Sequence, residues 1–230
     1  MTKTYIYIIL LPLLMACMGR GGDALDNKKL LLENLEDSLQ NNSRIDDTID
    51  DVIIVDSDYS FDEAIEGSGA PEHILAQLVL IDVEYYSTDE LLHRGQLLVN
   101  KKIEADMKVL FEYIKETRFP IYSAIPVVRF GWSDARSMEA NNTYVFCYRD
   151  ISYSKHATGM AIDINPLFNP LRWKPPFDER PNKPANGVYD VNVPGTLYPG
   201  HHLVEKFNAM GYRWGHYFRR NFDDHHFEKR

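Results

Sequence analysis

Two short segments of the chain carry residue types that bind and activate a metal ion. The first, from Ser154 to Asp163, contains a His and an Asp on either side of a small-residue turn. The second, from Asp223 to Glu228, places a carboxylate three residues ahead of a His. Two imidazoles and one carboxylate would hold zinc and leave its fourth position open, which distinguishes catalytic from structural zinc. The pattern therefore predicts a zinc hydrolase in which a remaining carboxylate handles protons.

Spacing alone leaves two assignments open. His225 and His226 are adjacent, and neighbouring side chains of a strand face opposite sides, so we expect at most one of them to face the metal. Asp163 lies in the apolar run 160–164, where an isolated carboxylate is costly to bury. Either a metal ion or an arginine would supply the partner that this carboxylate needs.

The elements that must position these residues are predicted within residues 72–230, a length sufficient for one hydrophobic core. Periodicity predicts helices at 101–117, 134–140 and 203–210, and strands at 79–86, 96–99, 121–128, 144–148, 160–164, 212–214 and 225–228. Residues 165–199 are rich in Pro, Asn and Gly and predict a long surface loop beside the site. The fold class expected is α+β, a single domain with a central antiparallel sheet flanked by helices.

The N-terminal part of the chain predicts where in the cell the protein is located. Residues 1–17 read as a signal peptide, because the apolar run 5–15 is too short to span a bilayer. The run ends in Leu-Met-Ala-Cys, which resembles a lipobox with Cys17 as the lipid acceptor; the alternative is an ordinary signal peptide with an incidental cysteine. Residues 18–71 are predicted to be an acidic tether. We expect a lipid-anchored or secreted protein of the bacterial cell envelope.

Charge and cysteine usage exclude some classes. The net charge is −9, but residues 23–66 hold 14 acidic and 3 basic side chains, so the remainder of the chain is nearly neutral. No basic surface is indicated, and nucleic acid is not an expected partner. Cys147 has no second cysteine to pair with once Cys17 is lipidated or removed, and its apolar surroundings predict a buried structural thiol. We expect a monomer.

Two motifs together resemble the VanY-type D-alanyl-D-alanine carboxypeptidase family of zinc peptidases. They are Ser154-x-His156-x-x-Gly159-x-Ala161-x-Asp163 and, after Gly211-Tyr-Arg-Trp214-Gly215, Asp223-x-x-His226-Phe227-Glu228. This family also includes L-alanyl-D-glutamate endopeptidases and shares its fold with the hedgehog signalling domain. A weaker likeness to one subgroup extends from Asp134 to Arg149. The resemblance implies zinc held by His156, Asp163 and His226, with Asp223 as the general base that moves a proton from water to the leaving amine.

The remaining site residues are assigned by the same resemblance. An arginine of the family stabilises the oxyanion or the substrate carboxylate; we assign Arg149, with Arg136 as the alternative, because this chain lacks the usual Tyr-Arg-Ser element. His216 and His225 are imidazoles outside the family pattern, and we favour surface positions for both over substrate contacts. Three residues match positions that support the site or its ligands: Ser154, Trp214 and Glu228.

The resemblance implies a peptidase that cuts peptidoglycan stem peptides. We expect a D-alanyl-D-alanine carboxypeptidase. One alternative is an L-alanyl-D-glutamate endopeptidase. The other is a zinc-bearing cell-wall binding module that does not turn over substrate, because the resemblance to hedgehog domains implies that this fold can bind a metal without catalysis. The general base Asp223 favours catalysis, whereas the choice of bond depends on the shape of loop 165–199.

Overall fold

The computed structural model describes residues 53–150 and 154–230, and within them the predicted α+β class is confirmed. The helices are α1 (Phe61–Ile65), α2 (Glu72–Leu75), α3 (Glu104–Glu116), α4 (Asp134–Glu139) and α5 (His202–Ala209). The strands are β1 (Ile54–Val55), β2 (Leu78–Tyr86), β3 (Leu92–Asn100), β4 (Ser123–Ala124), β5 (Asn142–Thr143), β6 (Ala161–Asp163), β7 (Leu171–Trp173), β8 (Tyr212–Trp214), β9 (Asn221–Asp223) and β10 (His226–Lys229). The predicted signal peptide and Cys17 lie outside the described residues.

The described strands are divided among four small sheets, whereas the sequence predicts one central sheet. The orders are β1-β3-β2, β6-β10-β8, β4-β5 and β7-β9. Only β2 and β3 are long, and they form an antiparallel hairpin from Leu78 opposite Asn100 to Tyr86 opposite Leu92. The sheet that matters for the site is β6-β10-β8, in which His226 lies opposite Asp163.

Helix α3 and the β2–β3 hairpin form the centre of the core. The helix buries one apolar stripe at the spacing expected for an amphipathic helix, namely Met107, Leu110, Phe111 and Ile114. This stripe belongs to the same buried cluster as Ile81, Val83 and Tyr85 of β2. Full burial of each such side chain contributes roughly 1.5–3 kcal/mol. The hairpin therefore supports the segments with the candidate metal ligands, which come later in the chain.

The end of β3 connects this core to the first metal-binding segment. The Asn100 backbone N–H donates to Gly159 O (3.0 Å), and its side-chain amide donates to Thr158 O (2.9 Å). Gly159 has φ 68°, and a Cβ there would lie 2.9 Å from Asn100 N, so the position requires glycine. The turn between His156 and Asp163 is thus fixed against the hairpin.

The described chain is folded from β1 onward, ahead of the predicted domain start at Glu72. Part of the predicted tether is therefore folded: β1 pairs in parallel with β3, and Ala64 of α1 is completely buried. The reason lies in Asp56, whose carboxylate contacts the Tyr85 hydroxyl and His93 Nδ1 (3.0 Å). An acidic residue that the composition assigns to solvent has buried partners far along the chain.

Two predicted strands are mostly absent. In segment 121–128 only Ser123 and Ala124 form a strand, because Pro126 begins a 3₁₀ turn over 127–130. In segment 144–148 only Tyr144 makes a β-bridge, to Asp163. The apolar residues of this second segment are buried by side-chain packing without a ladder of hydrogen bonds. The predicted long loop is confirmed as mostly irregular, although it contains β7.

Within the described part of the chain, none of the helices has the length and apolar character that crossing a membrane requires.

Replacement of His93 by Gln should reduce stability in a pH-dependent way. Burial lowers the pKa of His93, but hydrogen bonds to Asp56 and Asp89 raise it, and the net pKa lies above its ordinary value. The protonated ring therefore stabilises the fold fully below the unfolded-state pKa of about 6.5, and this is lost as pH rises through the folded-state pKa. We expect His93→Gln to lower the free energy of unfolding more at about pH 6 than at about pH 9, measured by urea titration.

The matched control is His73→Gln, because His73 is exposed and its ring has no partner among the described residues. A loss of stability for His93→Gln that is the same at both pH values would contradict the assigned ion pair.

Candidate metal centre and active site

Three buried ligand atoms converge on one point. Asp163 Oδ1 lies 3.0 Å from His156 Nε2 and 2.9 Å from His226 Nδ1, and the two ring nitrogens are 3.0 Å apart. The residues are 3%, 5% and 9% exposed in the order Asp163, His156, His226. They form the group in the described chain that could hold a metal ion. The sequence predicts these three residues, and the structure brings them together.

Pairing of β6 with β10 makes this convergence possible. Because His226 is the direct cross-strand neighbour of Asp163, their side chains project from the same face of the sheet. His156 reaches the same point from the 3₁₀ turn Lys155–Thr158, which Gly159 ends in the left-handed conformation. The small-residue turn in the sequence is therefore what folds His156 back over Asp163.

The hydrogen-bond partners of the two imidazoles favour tautomers whose lone pairs point toward a cation between the rings. The Val145 carbonyl can only accept, so His156 Nδ1 (2.7 Å away) carries a hydrogen and Nε2 presents a lone pair. His226 Nε2 faces Glu228 Oε2 at 3.6 Å, which favours a hydrogen there and a lone pair on Nδ1. Three acceptor atoms then meet in a buried place, where a cation removes their mutual repulsion.

The size of the triangle fits a small divalent ion. Tetrahedral zinc with ligands at about 2.0–2.1 Å separates neighbouring ligand atoms by about 3.3 Å. The three separations of 2.9–3.0 Å are slightly shorter. A small outward rotation of each side chain would accommodate the ion.

Charge around the site favours a positive species at its centre. Burial raises the pKa of Asp163, but His156 and His225 outweigh this and hold that pKa well below its ordinary value. Burial lowers the pKa of His226, but its contacts with Asp163 and Glu228 raise it to about 10, so a proton can occupy the central position that a metal ion would take. The carboxylates thus stabilise positive charge at this point, in agreement with a metal site.

His225 is buried in the site, which overturns the expectation of a surface position. It is 4% exposed; its Nδ1 lies 2.9 Å from Asn169 O and its Nε2 lies 2.9 Å from Asp223 Oδ1. Strand alternation does not apply to it, because residues 224–225 form the turn between β9 and β10. Both histidines therefore line one cavity, although only His226 belongs to the ligand triangle.

Asp223 is placed where a general base is needed. Its Oδ1 is buried and pairs with His225 Nε2 at 2.9 Å. The carboxylate lines the cavity, where it could take a proton from water or substrate. The cavity of about 310 Å³ that it lines also contains the three ligands, Arg149, Ser154 and Glu228. Three larger cavities in the described residues, of about 480, 470 and 440 Å³, are lined by neither histidine nor cysteine.

The structure separates the two arginine candidates. Arg149 lines the cavity and is held by the Asp134 carboxylate through Nη2 (3.0 Å) and Nη1 (3.3 Å). Arg136 donates to Gly131 O at 3.4 Å and does not line the cavity. The geometry therefore favours Arg149, and its role stays a prediction.

The supporting positions differ in what they contact. Glu228 faces His226 across 3.6 Å. The Ser154 hydroxyl donates to none of the ligands within the described residues; Val145 O and the Tyr144 hydroxyl make those contacts instead.

The Cys147 thiol is 2% exposed and burial raises its pKa to about 11, in keeping with a structural role.

A buried ion network that the sequence pattern misses holds the turn between β9 and β10. The Asp224 carboxylate is completely buried and contacts Arg172 (2.8 Å) and His216 Nδ1 (2.6 Å). The Trp214 indole N–H donates to Asp224 O (2.9 Å), and its ring stacks on His216 at 4.5 Å. His216 is thus a largely buried support of the turn, contrary to the expected surface position, and it does not line the cavity. A Cβ on Gly215 would lie 2.7 Å from Asp223 Cβ, so glycine is required there.

Comparison with known proteins agrees with this geometry. Residues 149–229 match the family model described as D-alanyl-D-alanine carboxypeptidase. The stretch is about a third of the chain and contains the metal-binding triangle, Asp223 and Arg149. The resemblance predicted from the motifs is confirmed over these residues, and it indicates a peptidase. The searches of curated proteins and of solved structures returned no match.

Replacement of His226 by Gln should abolish tight zinc binding, whereas replacement of its neighbour His225 should not. His226 supplies a lone pair to the triangle, and His225 Nε2 lies 3.6 Å from the other oxygen of Asp163. We expect His226→Gln to lower zinc affinity at least about a hundredfold, measured by competition with a chromophoric chelator. Removal of a group that only supports a ligand already lowers metal affinity about 10–100-fold, and loss of the ligand itself should cost at least as much. His225→Gln should stay within about tenfold of wild type. Equal losses in the two variants would contradict the ligand assignment.

Proposed function

We propose that this protein is a zinc-dependent peptidase that hydrolyses peptidoglycan stem peptides, acting as a D-alanyl-D-alanine carboxypeptidase. The observation that carries the proposal is the buried His156–Asp163–His226 triangle in one cavity with a further carboxylate, Asp223, and a guanidinium, Arg149. The match of residues 149–229 to the carboxypeptidase family model supports the substrate class.

Each residue of the cavity has a distinct task in this proposal. Zinc, held by the triangle, would acidify a water molecule and polarise the scissile carbonyl. Asp223 accepts a proton from the attacking water and delivers it to the leaving amine. His225, 2.9 Å from Asp223 Oδ1, keeps that carboxylate directed into the cavity. Arg149 donates hydrogen bonds to the oxygen on which negative charge develops, or to the terminal carboxylate of the peptide.

A second activity of the same class, cleavage between L-Ala and D-Glu, uses the same residues. The bond chosen depends on how the peptide lies in the cavity, to which the loop 165–199 contributes Leu171 and Lys183. The non-catalytic alternative, a zinc-bearing binding module, is disfavoured because Asp223, the residue assigned as general base, lines the cavity beside the three ligands.

The cellular address is part of the proposal. A signal peptide ending at Cys17, followed by lipidation of that cysteine, would place the peptidase in the bacterial envelope beside its substrate. Labelling of expressing cells with a radioactive fatty acid tests this. Label is expected in the wild-type chain and should be absent from Cys17→Ala; label in both or in neither contradicts the anchor.

Incubation with defined muropeptides tests the activity. Zinc-loaded protein should shorten a pentapeptide stem by the mass of one alanine, whereas release of the stem from L-Ala onward would support the endopeptidase. Asp223→Asn should lower kcat at least about a hundredfold, the usual range for loss of a general base, while zinc affinity is retained. Asp178→Asn, at an exposed carboxylate, is the matched control and should behave as wild type. Full activity of Asp223→Asn would refute the assigned mechanism.

A further inference from the structure

A chain of contacts runs from the metal-facing ligand to Arg149. Asp163 directs Oδ1 to the two imidazoles and receives the Tyr144 hydroxyl on Oδ2 at 2.9 Å. The same hydroxyl contacts the Asp134 carboxylate, which in turn holds Arg149 through two parallel hydrogen bonds. The chain Asp163–Tyr144–Asp134–Arg149 therefore joins two groups that line the same cavity.

Tyr144 is placed by its backbone and by packing. Its N–H and C=O exchange hydrogen bonds with Asp163 at 3.1 and 3.0 Å, and its ring centroid lies 5.1 Å from that of His156. The side chain is 2% exposed, and burial together with the charges of Asp163 and Asp134 raises its pKa well above the ordinary value, so the hydroxyl keeps its hydrogen. The hydroxyl thus lies between Asp163 Oδ2 and the Asp134 carboxylate and shares its one hydrogen between them, and a Phe ring should fold in the same place.

Arg149 depends on Asp134 for its direction. Arg149 lies outside the helices and strands, and Asp134 is its ion-pair partner among the described residues. Asp134 itself is held on the first turn of α4, which begins after Ser133 caps Arg136 N. The parallel arrangement of two N–H···O bonds fixes the plane of the guanidinium, which a single contact would not do.

We propose that Asp134 and Tyr144 are positioning residues that hold the two working groups of the cavity in place. Tyr144 fixes Asp163 Oδ2 so that Oδ1 faces the imidazoles, and Asp134 directs Arg149 into the same cavity. The part concerning Tyr144 requires only that the triangle binds a metal ion. The catalytic consequence of the part concerning Arg149 rests on the proposed function.

Zinc affinity tests the part concerning Tyr144. Loss of a group that orients a metal ligand typically lowers metal affinity about 10–100-fold. Tyr144→Phe should therefore lower zinc affinity by about tenfold or more, measured by chelator competition. The matched control is Tyr148→Phe, in a half-buried ring that packs on a separate apolar cluster and should leave affinity unchanged. A merely structural role would lower the melting temperature of Tyr144→Phe without changing its zinc affinity, and that result would overturn the proposal.

Side-chain NMR tests the part concerning Arg149 without any need for turnover. The Nη–H signals of Arg149, identified by their loss in Arg149→Gln, should be sharp in the zinc-loaded protein and broadened or lost in Asp134→Asn. Asp134→Ser, which keeps a polar residue at the start of α4, replaces it should Asn fail to fold. Unchanged Arg149 signals in a folded Asp134 variant would overturn the proposal.

Kinetics then connects the contact to function. Asp134→Asn should reduce kcat/KM for the pentapeptide stem about as much as Arg149→Gln, and the double variant should be no worse than Arg149→Gln alone. Additive losses would show that Asp134 acts independently of Arg149. If wild-type protein cleaves no stem peptide, the proposed function fails, while the zinc and NMR measurements still decide the positioning roles.

Discussion

The site depends on one cross-strand pair, His226 of β10 opposite Asp163 of β6. This pairing places a ring nitrogen and a carboxylate oxygen 2.9 Å apart at the buried wall of the cavity, and His156 completes the triangle from the turn Lys155–Thr158. Three converging acceptors are unfavourable without a cation, so the surrounding structure must hold them there. That requirement explains why the turn ending at Gly159 is fastened to Asn100 at the end of the rigid hairpin.

A second constraint keeps the proposed general base apart from the proposed ligands. Asp223 and His226 are three residues apart and must serve different purposes, which the tight turn between β9 and β10 achieves. Asp224, at the centre of that turn, is buried against Arg172 and His216. Removal of one member would leave a charge uncompensated in the interior, a strongly destabilising change. The network therefore holds the turn rigid. Gly215 has no side chain and so allows its backbone to lie against Asp223 at the start of this turn.

The sequence predicts the parts of the site whose chemistry is encoded locally. Residue type and spacing predict two histidines and a carboxylate, and the family resemblance implies His226 and not His225 as the second histidine; the structure brings His156, Asp163 and His226 together. The fold class and the helices α3, α4 and α5 also follow from local periodicity. The position of His225 does not, because strand alternation is a rule for strands and this residue lies in a turn. Nor does the number of sheets, since prolines and 3₁₀ turns interrupt segments whose composition is typical of strands.

Contacts between distant parts of the chain explain the other differences. Asp56 is indistinguishable from its acidic neighbours in composition, yet Tyr85 and His93 draw it into the folded unit. Asp224 pairs with Arg172, which lies 52 residues away in the sequence, and no pattern in either segment predicts that pair. The choice of Arg149 over Arg136 likewise depends on where Asp134 points. Such partners can be recognised only after the fold brings them together.

The ligands that we assign to a catalytic zinc ion are His156, Asp163 and His226, and not His225. X-ray absorption at the zinc edge, combined with anomalous diffraction from crystals of the zinc-loaded protein, would test this assignment. We expect one zinc per chain bound by two imidazole nitrogens and one carboxylate oxygen at about 2.0–2.2 Å, with a fourth position filled by water. A third imidazole or Asp223 in the coordination sphere, or zinc bound elsewhere, would contradict it.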